Sequence, residues 1–392
     1  MSPTGSGDGR RRNRLNLLSG RKAGGFPPGF HLFLLILAVR ASAVHAEQRP
    51  YYFYRALPYG SQMTYNPLNV VINGGYGILQ IPEYYGVRDV GDLPYREWTK
   101  AMWKTAGHPL RTLNDFGWKR FATTEVVPTT LDMNNAQWVP NYFLHLLGAG
   151  MLSRKTEEWY RYQGYSHPRA WSVATMTAYH VLTEVIETKG DTAVTSDHLA
   201  DLGIFDPLSV LLWTNDGVCK FFSEKLQLQE WSMQPAINLK TGNLENMGQF
   251  YVIKYPITRD KSWSVMAHFG MHGTFGLSRR MPDGRAYSLT GGLVVENLIP
   301  AKLPGPGQDL TAKMTWRVGA FYDRNNSLLT SLMLCGIADR RIKVNIYPGV
   351  VHIGPFTPGF FLSGTKEWVA GMNISYFPLG VAQGLGNGTL SQ

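Results

Sequence analysis

The stretch HVLTEVIETKGDTAVTSDHLADLG, residues 180–203, gathers imidazoles and carboxylates at helical spacing. His180, Glu184 and Glu187 recur at i, i+4 and i+7, on one face of a helix. Asp197, His198 and Asp201 repeat the pattern after a break, and His145 stands upstream in the apolar run NYFLHLLGAG (141–150). A histidine and carboxylates projecting from three neighbouring helices suit a metal site or acid–base chemistry. The simpler alternative is that they cap helix ends and pair with Arg154, Lys155, Arg161 or Arg169. His145 needs a buried partner, because an unpaired polar group costs about 1–3 kcal/mol when buried; Glu184 or Asp201 is expected to supply it. The candidate catalytic set is therefore His145, Glu184, Glu187, Asp197 and Asp201. Residue types alone leave open which metal or cofactor, if any, joins them. No G-x-S-x-G elbow is present. INGGYGI (72–78) has the glycines of a phosphate loop, but neither the following basic residue nor a parallel βαβ setting.

The elements that must position these groups are helices. WVPNYFLHLLGAGMLSRKTEEWYRYQG (138–164) and HPRAWSVATMTAYHVLTEVIETKG (167–190) read as a helical hairpin, with Pro168 at a start and Gly190 at an end. A third helical segment runs over 195–213 behind a Thr/Ser–Asp cap, and 215–226 continues it after a break. Residues 92–126 read as two short amphipathic helices. The order NYFLH, LTEVIE, TSDHLADLG resembles VanZ-like and related envelope proteins, over about 70 of the 392 residues. The resemblance implies corresponding roles for His145, Glu184, Glu187, Asp197 and Asp201, and lends no settled activity. The chain also resembles Gram-negative envelope proteins of unknown function that set helices ahead of β-structure.

From about residue 231 the period changes to two. In LTAKMTWRVGAFY (310–322), Met314, Trp316 and Val318 share a face, with Lys313, Thr315 and Arg317 opposite. Such alternation marks strands with one apolar and one polar face. About eight strands are expected, near 231–240, 248–256, 263–278, 284–297, 309–323, 327–338, 340–354 and 366–378. Turn signals at 281–285, 304–308, 323–326 and 357–360 suggest an antiparallel meander. The fold class expected is α+β, a helical domain followed by an antiparallel β-barrel. A membrane barrel turns its apolar face outward, whereas a soluble barrel that binds a lipophilic ligand turns it inward. Trp263, Tyr322, Tyr347, Trp368, Tyr376 and Phe377, near strand ends, suit an interfacial girdle. His268 and His272 share a polar strand face and read as residues of a polar lumen or of an exposed face.

The ends set the compartment. Arg10, Arg11, Arg12, Arg14, Arg21 and Lys22 precede the apolar core LFLLILAV (32–39) and small residues up to Ala46, the layout of a secretory signal peptide, with a permanent signal anchor as the alternative. Without residues 1–46 the chain keeps 31 basic and 27 acidic side chains, so no nucleic-acid surface is indicated. Cys219 and Cys335 make neither a disulfide framework nor a cysteine zinc site. The expected plan is a leader (1–46), an aromatic and glycine-rich segment (47–91) that adds a strand or plugs the barrel, a helical domain (92–226), the barrel (227–380) and a tail (381–392). The expectation is an outer-membrane protein that contacts lipid and other envelope proteins. Alternatives are a membrane-face hydrolase or acyltransferase, and a soluble periplasmic barrel.

Overall fold

The computed structural model describes residues 50–81, 89–129, 138–188, 196–300, 310–365, 367–374 and 377–385. The expected leader, the turn at 304–308, Tyr376 and tail residues 386–392 lie outside them.

Helices come first. Asn66 accepts the Asn69 N–H at 2.9 Å and Pro67 presets the first turn, so α1 runs Pro67–Gly75. The segment 47–91, expected to add a strand or plug the barrel, is instead helical over 67–75 and again over 77–80. Its glycines allow close packing: a Cβ on Gly74 would fall 2.3 Å from the Tyr179 ring. α2 (Tyr95–Ala106) and α3 (Pro109–Phe116) are the two short amphipathic helices, burying Trp98 and Met102, and Leu113 and Phe116. A π-helical segment, Trp138–Ala149, runs into α4 (Gly150–Tyr162), and α5 (Pro168–Thr188) completes the expected hairpin. The third segment is broken into α6 (Asp197–Ala200), a π-helical turn (Asp201–Phe205) and α7 (Asp206–Leu212). Ser196 occupies the cap position of α6 but makes no side-chain cap bond. α8 (Asp216–Lys220) is capped by Asn215. Among the described residues no helix is long and apolar enough to cross a membrane.

The C-terminal part is one sheet. Its strands are β1 (Gln229–Glu230), β2 (Ala236–Asn238), β3 (Leu244–Glu245), β4 (Tyr251–Pro256), β5 (Trp263–Phe269), β6 (His272–Arg280) and β7 (Arg285–Pro300). There follow β8 (Leu310–Arg324), β9 (Ser327–Cys335), β10 (Ile342–Ile346), β11 (Pro358–Gly364), β12 (Trp368–Ile374) and β13 (Gly380–Gly384). The order is β1-β4-β5-β6-β7-β8-β9-β10-β11-β12-β13-β2-β3.

The α+β division holds, and the eight-stranded antiparallel barrel is corrected. The described sheet has 13 strands, is not closed by its ladders, and is mixed because β13 pairs parallel with β2. Local chemistry explains the extra pieces. Of the first expected strand, 231–240, Ala236–Asn238 is strand, directly after Pro235, which offers no N–H to a ladder. Gly270 turns the chain, its N–H donating to His272 O at 2.9 Å, and divides the third expected strand. The expected turn at 357–360 opens β11, and part of the expected tail is β13.

The two faces of the sheet differ. One lateral row reads Tyr255, Val265, Leu277, Leu289, Ala320, Leu332, Val344, Leu362, Ala370 from β4 to β12. It points outward, with Leu289 69% exposed. Trp263, Arg279, Tyr287 and Tyr322 form a second outward row near the turns, where Tyr287 and Tyr322 stack at 5.0 Å. The inward row beside them is Ser264, Ser278, Ser288, Phe321, Ser331, Asn345, Phe361, all buried. Tyr347, expected in a girdle, is instead buried and donates to Ser232 O at 2.8 Å. Phe377 is exposed.

Candidate functional site

The cluster read from residues 145–201 assembles where the π-helical segment, α5 and the α6–α7 region meet. Two departures from α-helical geometry matter. A π turn closes i→i+5 bonds, so Asp201 and Asp206, five apart, come to one side. The π-helical segment carries His145 toward the same place.

His145 Nδ1 lies 2.8 Å from Asp206 Oδ1, and its Nε2 lies 3.4 Å from Asp201 Oδ2. His180 Nδ1 lies 3.2 Å from the same Asp206 oxygen, without the angle of a hydrogen bond. The two imidazole rings are 5.4 Å apart, and Tyr179 stacks on His180 at 4.3 Å. Glu184 Oε2 pairs with His198 Nδ1, whose Nε2 lies 3.2 Å from Thr188 Oγ1. The potential ligand atoms of His145, His180 and Asp206 all lie within 4.8 Å of one another, and so do those of Glu184, Asp197 and Asp201.

Of the five residues singled out by sequence, four stand in these two triads. Glu187 belongs to neither. The expected partner of His145 is corrected in part: Asp201 is near, but Asp206 is nearer, and Glu184 serves His198 instead. His180 and Asp206 are the additions. His180 was legible as the start of the i, i+4 pattern. Asp206 was masked because Asp-Pro reads as a plain helix start, and a straight helix would have turned it away from Asp201.

The electrostatics follow from burial and neighbours. Burial works against a charged His145, but the Asp206 carboxylate and its hydrogen bond, then Glu184 and Asp197, outweigh it and raise its pKa to about 9. His180 goes the other way: burial, with His145 close by, lowers it to about 4 despite Asp206. Burial and the charges of Asp197 and Glu184 push Glu187 up to about 8. Burial, then Asp197, Glu184, Asp206 and Glu125, hold Asp201 well above the usual carboxylate range.

The bases expected to neutralise this cluster are engaged elsewhere. Arg154 Nε bonds Glu158 at 2.9 Å, Lys155 bonds Glu230 at 2.9 Å, and Arg169 bonds Glu157 at 3.0 Å. Arg161 donates to Pro50 O at 3.2 Å. Glu158 also accepts the N–H groups of Tyr52, Phe53 and Tyr54 at 2.8–2.9 Å, tying the N-terminal segment to α4.

A second polar group lies on the inward sheet face. His272 Nε2 is 2.6 Å from His268 Nδ1, Arg317 Nη1 is 2.6 Å from His272 Nδ1, and Phe250 stacks on His272 at 4.5 Å. Lys254 pairs with Asp323 nearby. These groups hydrogen-bond one another or pack on aromatic rings, as filling of a polar interior does.

An apolar hollow of about 190 Å³ opens beside the π-helical segment, lined by Phe143, Leu146, Leu147, Leu212, Trp213 and Phe222 among others. Neither a family model, nor a curated protein, nor a solved structure matches the chain.

Proposed function

We propose that this chain is an outer-membrane β-barrel protein of a Gram-negative envelope whose sheet sits in lipid and whose helical region lies at the membrane face. One observation carries the reading: the outward lateral row from β4 to β12 is apolar without interruption, while the inward row beside it is rich in Ser and Asn. That is the inverse of a soluble ligand-binding barrel. Trp316 and Val318 on β8 are 52% and 40% exposed, which favours the membrane reading over a lipophilic cavity. Trp263, Tyr287 and Tyr322 suit the water–lipid boundary.

In this reading residues 229–238 act as one strand that closes the ring between β4 and β13. In support, Trp231 N–H donates to Phe250 O at 2.8 Å and Met233 N–H to Gly248 O at 3.0 Å on one side. Gly380 N–H donates to Pro235 O at 2.9 Å and Leu239 N–H to Ala382 O at 3.0 Å on the other. The role is lipid contact and envelope maintenance. Fractionation with gel mobility in cold and boiled SDS tests it: recovery in the outer membrane with a heat-dependent mobility shift is expected. Recovery as a soluble monomer without detergent overturns it.

A membrane-face hydrolase or acyltransferase is the second reading, favoured by the convergence of His145, Asp201 and Asp206, with Leu146 and Leu147, next to His145 in the chain, lining the apolar hollow. Glu184→Gln and His145→Gln variants that fold and reach the membrane yet lose an envelope-sensitivity phenotype support it. Full complementation by both removes it.

A further inference from the structure

The two adjoining triads hold imidazole and carboxylate donors at helix junctions, and their polar valences are incomplete. His180 Nδ1, Asp201 Oδ1 and Asp206 Oδ2 are buried and have no hydrogen-bond partner among the described residues. Their residues are 3%, 3% and 9% exposed. Buried polar atoms are paired in the great majority of cases, so three orphans within one cluster of imidazoles and carboxylates call for a ligand. The charges acting on Asp201 are, in order, those of Asp197, Glu184, Asp206 and Glu125, all carboxylates. The neighbouring Arg154, Lys155 and Arg169 are paired with other acids. Such a set of buried acids is relieved by protons or by a cation.

We infer that this junction binds a divalent first-row transition-metal ion between His145, His180 and Asp206, with Asp201 of the adjoining triad beside it. The donors decide the class of metal. Two imidazoles with carboxylates favour Zn²⁺, Fe²⁺ or Co²⁺ over the hard ions Mg²⁺ and Ca²⁺, which take oxygen sets. No thiolate takes part, which disfavours Cu⁺. The donor atoms span up to 4.8 Å, whereas a tetrahedral site with bonds of about 2.0–2.2 Å sets its donors about 3.3–3.6 Å apart, so binding must draw the side chains inward by about 1 Å. Glu184 and Asp197 complete the second triad, which takes a second ion if the first leaves Asp201 free to bridge. The inference is independent of the barrel reading, since all its ligands lie in the helical region.

The test uses the full chain in detergent, stripped with a chelator and titrated with Zn²⁺ and with Co²⁺. Metal content after gel filtration and the visible absorption of bound Co²⁺ are the readouts. One or two ions per chain, with Co²⁺ bands displaced by Zn²⁺, are expected. His180→Ala and Asp206→Asn should each weaken Zn²⁺ binding at least about 100-fold, beyond what loss of an outer-sphere partner does. His268→Ala, in the sheet interior, should bind as the parent does. If His180→Ala fails to fold by circular dichroism, His180→Gln, which keeps the bulk, is read instead. A stripped chain that takes up no ion overturns the inference. So do His180 and Asp206 variants that bind as tightly as the parent, or a loss of binding confined to His268→Ala.

Discussion

Glu184 shows what a single buried carboxylate does here. It is 1% exposed, and its Oε2 is the partner of the His198 imidazole, whose pKa lies above its ordinary value: burial opposes the charge, and the Glu184 bond outweighs it. Removing one partner of a buried pair leaves the other uncompensated. Glu184→Ala is expected to lower stability by about 3 kcal/mol, read as a fall in thermal midpoint in detergent. Glu184→Gln, which keeps a hydrogen-bond acceptor, should lose less. Cys219 offers a pH test away from the cluster. Burial, only partly offset by Arg154, pushes its thiol up to about 12. The stabilising difference is fully present below the unfolded value near 9 and is lost as pH rises toward 12. Iodoacetamide at pH 8.5 should leave Cys219 unlabelled in the folded chain and label it in denaturant; equal labelling in both would refute the buried thiol. At this scale the sequence revealed which residue types gather, but not who pairs with whom. His145 found Asp206 because a π turn intervenes, and spacing rules assume 3.6 residues per turn.

The elements that carry the cluster depend on close approach. Gly150 opens α4 directly behind the π-helical segment, and a Cβ there would fall 2.2 Å from the Trp213 ring. That indole donates to Leu146 O at 3.0 Å, next to His145. Gly150→Ala must therefore displace Trp213, at a cost of about 1–3 kcal/mol for overpacking. The Co²⁺ absorption expected of the metal site should change in shape as His145 shifts, and an unaltered spectrum would argue that the two are mechanically separate. The helical hairpin and the faces of the strands were legible, because periods of 3.6 and two survive in Val, Leu, Trp and Ser placement. The number of strands was not. The Gly270 turn interrupts a run that still alternates across the break, so the pattern reads as one strand where the backbone makes two.

At the scale of the whole molecule, the outward row is the feature to perturb. Leu289 is 69% exposed in its middle, so Leu289→Arg should cost about 2–4 kcal/mol of membrane stability if that row meets lipid at mid-depth. Reduced flotation with liposomes and loss of the heat-dependent gel shift are the expected readouts. Leu289→Arg behaving as the parent would place the row in water. The inward face carries Trp231, Met266, Phe321 and Met333 in one packed cluster beside Lys254 and Asp323. Planar-bilayer recordings should accordingly show no large, steady conductance.

The parallel pairing of β13 with β2 has a consequence for timing. β2 precedes its partner in the chain by more than a hundred residues, so its free edge waits until the last strand has been synthesised. Among the described residues nothing earlier in the chain takes that place in the ladder. Completion of the sheet thus waits for residues 380–384: a nascent chain stalled before residue 380 presents two raw strand edges and should be held by chaperones or degraded. Pulse-chase of a chain truncated after residue 379 should show rapid turnover, whereas restoring residues 380–385 should rescue it.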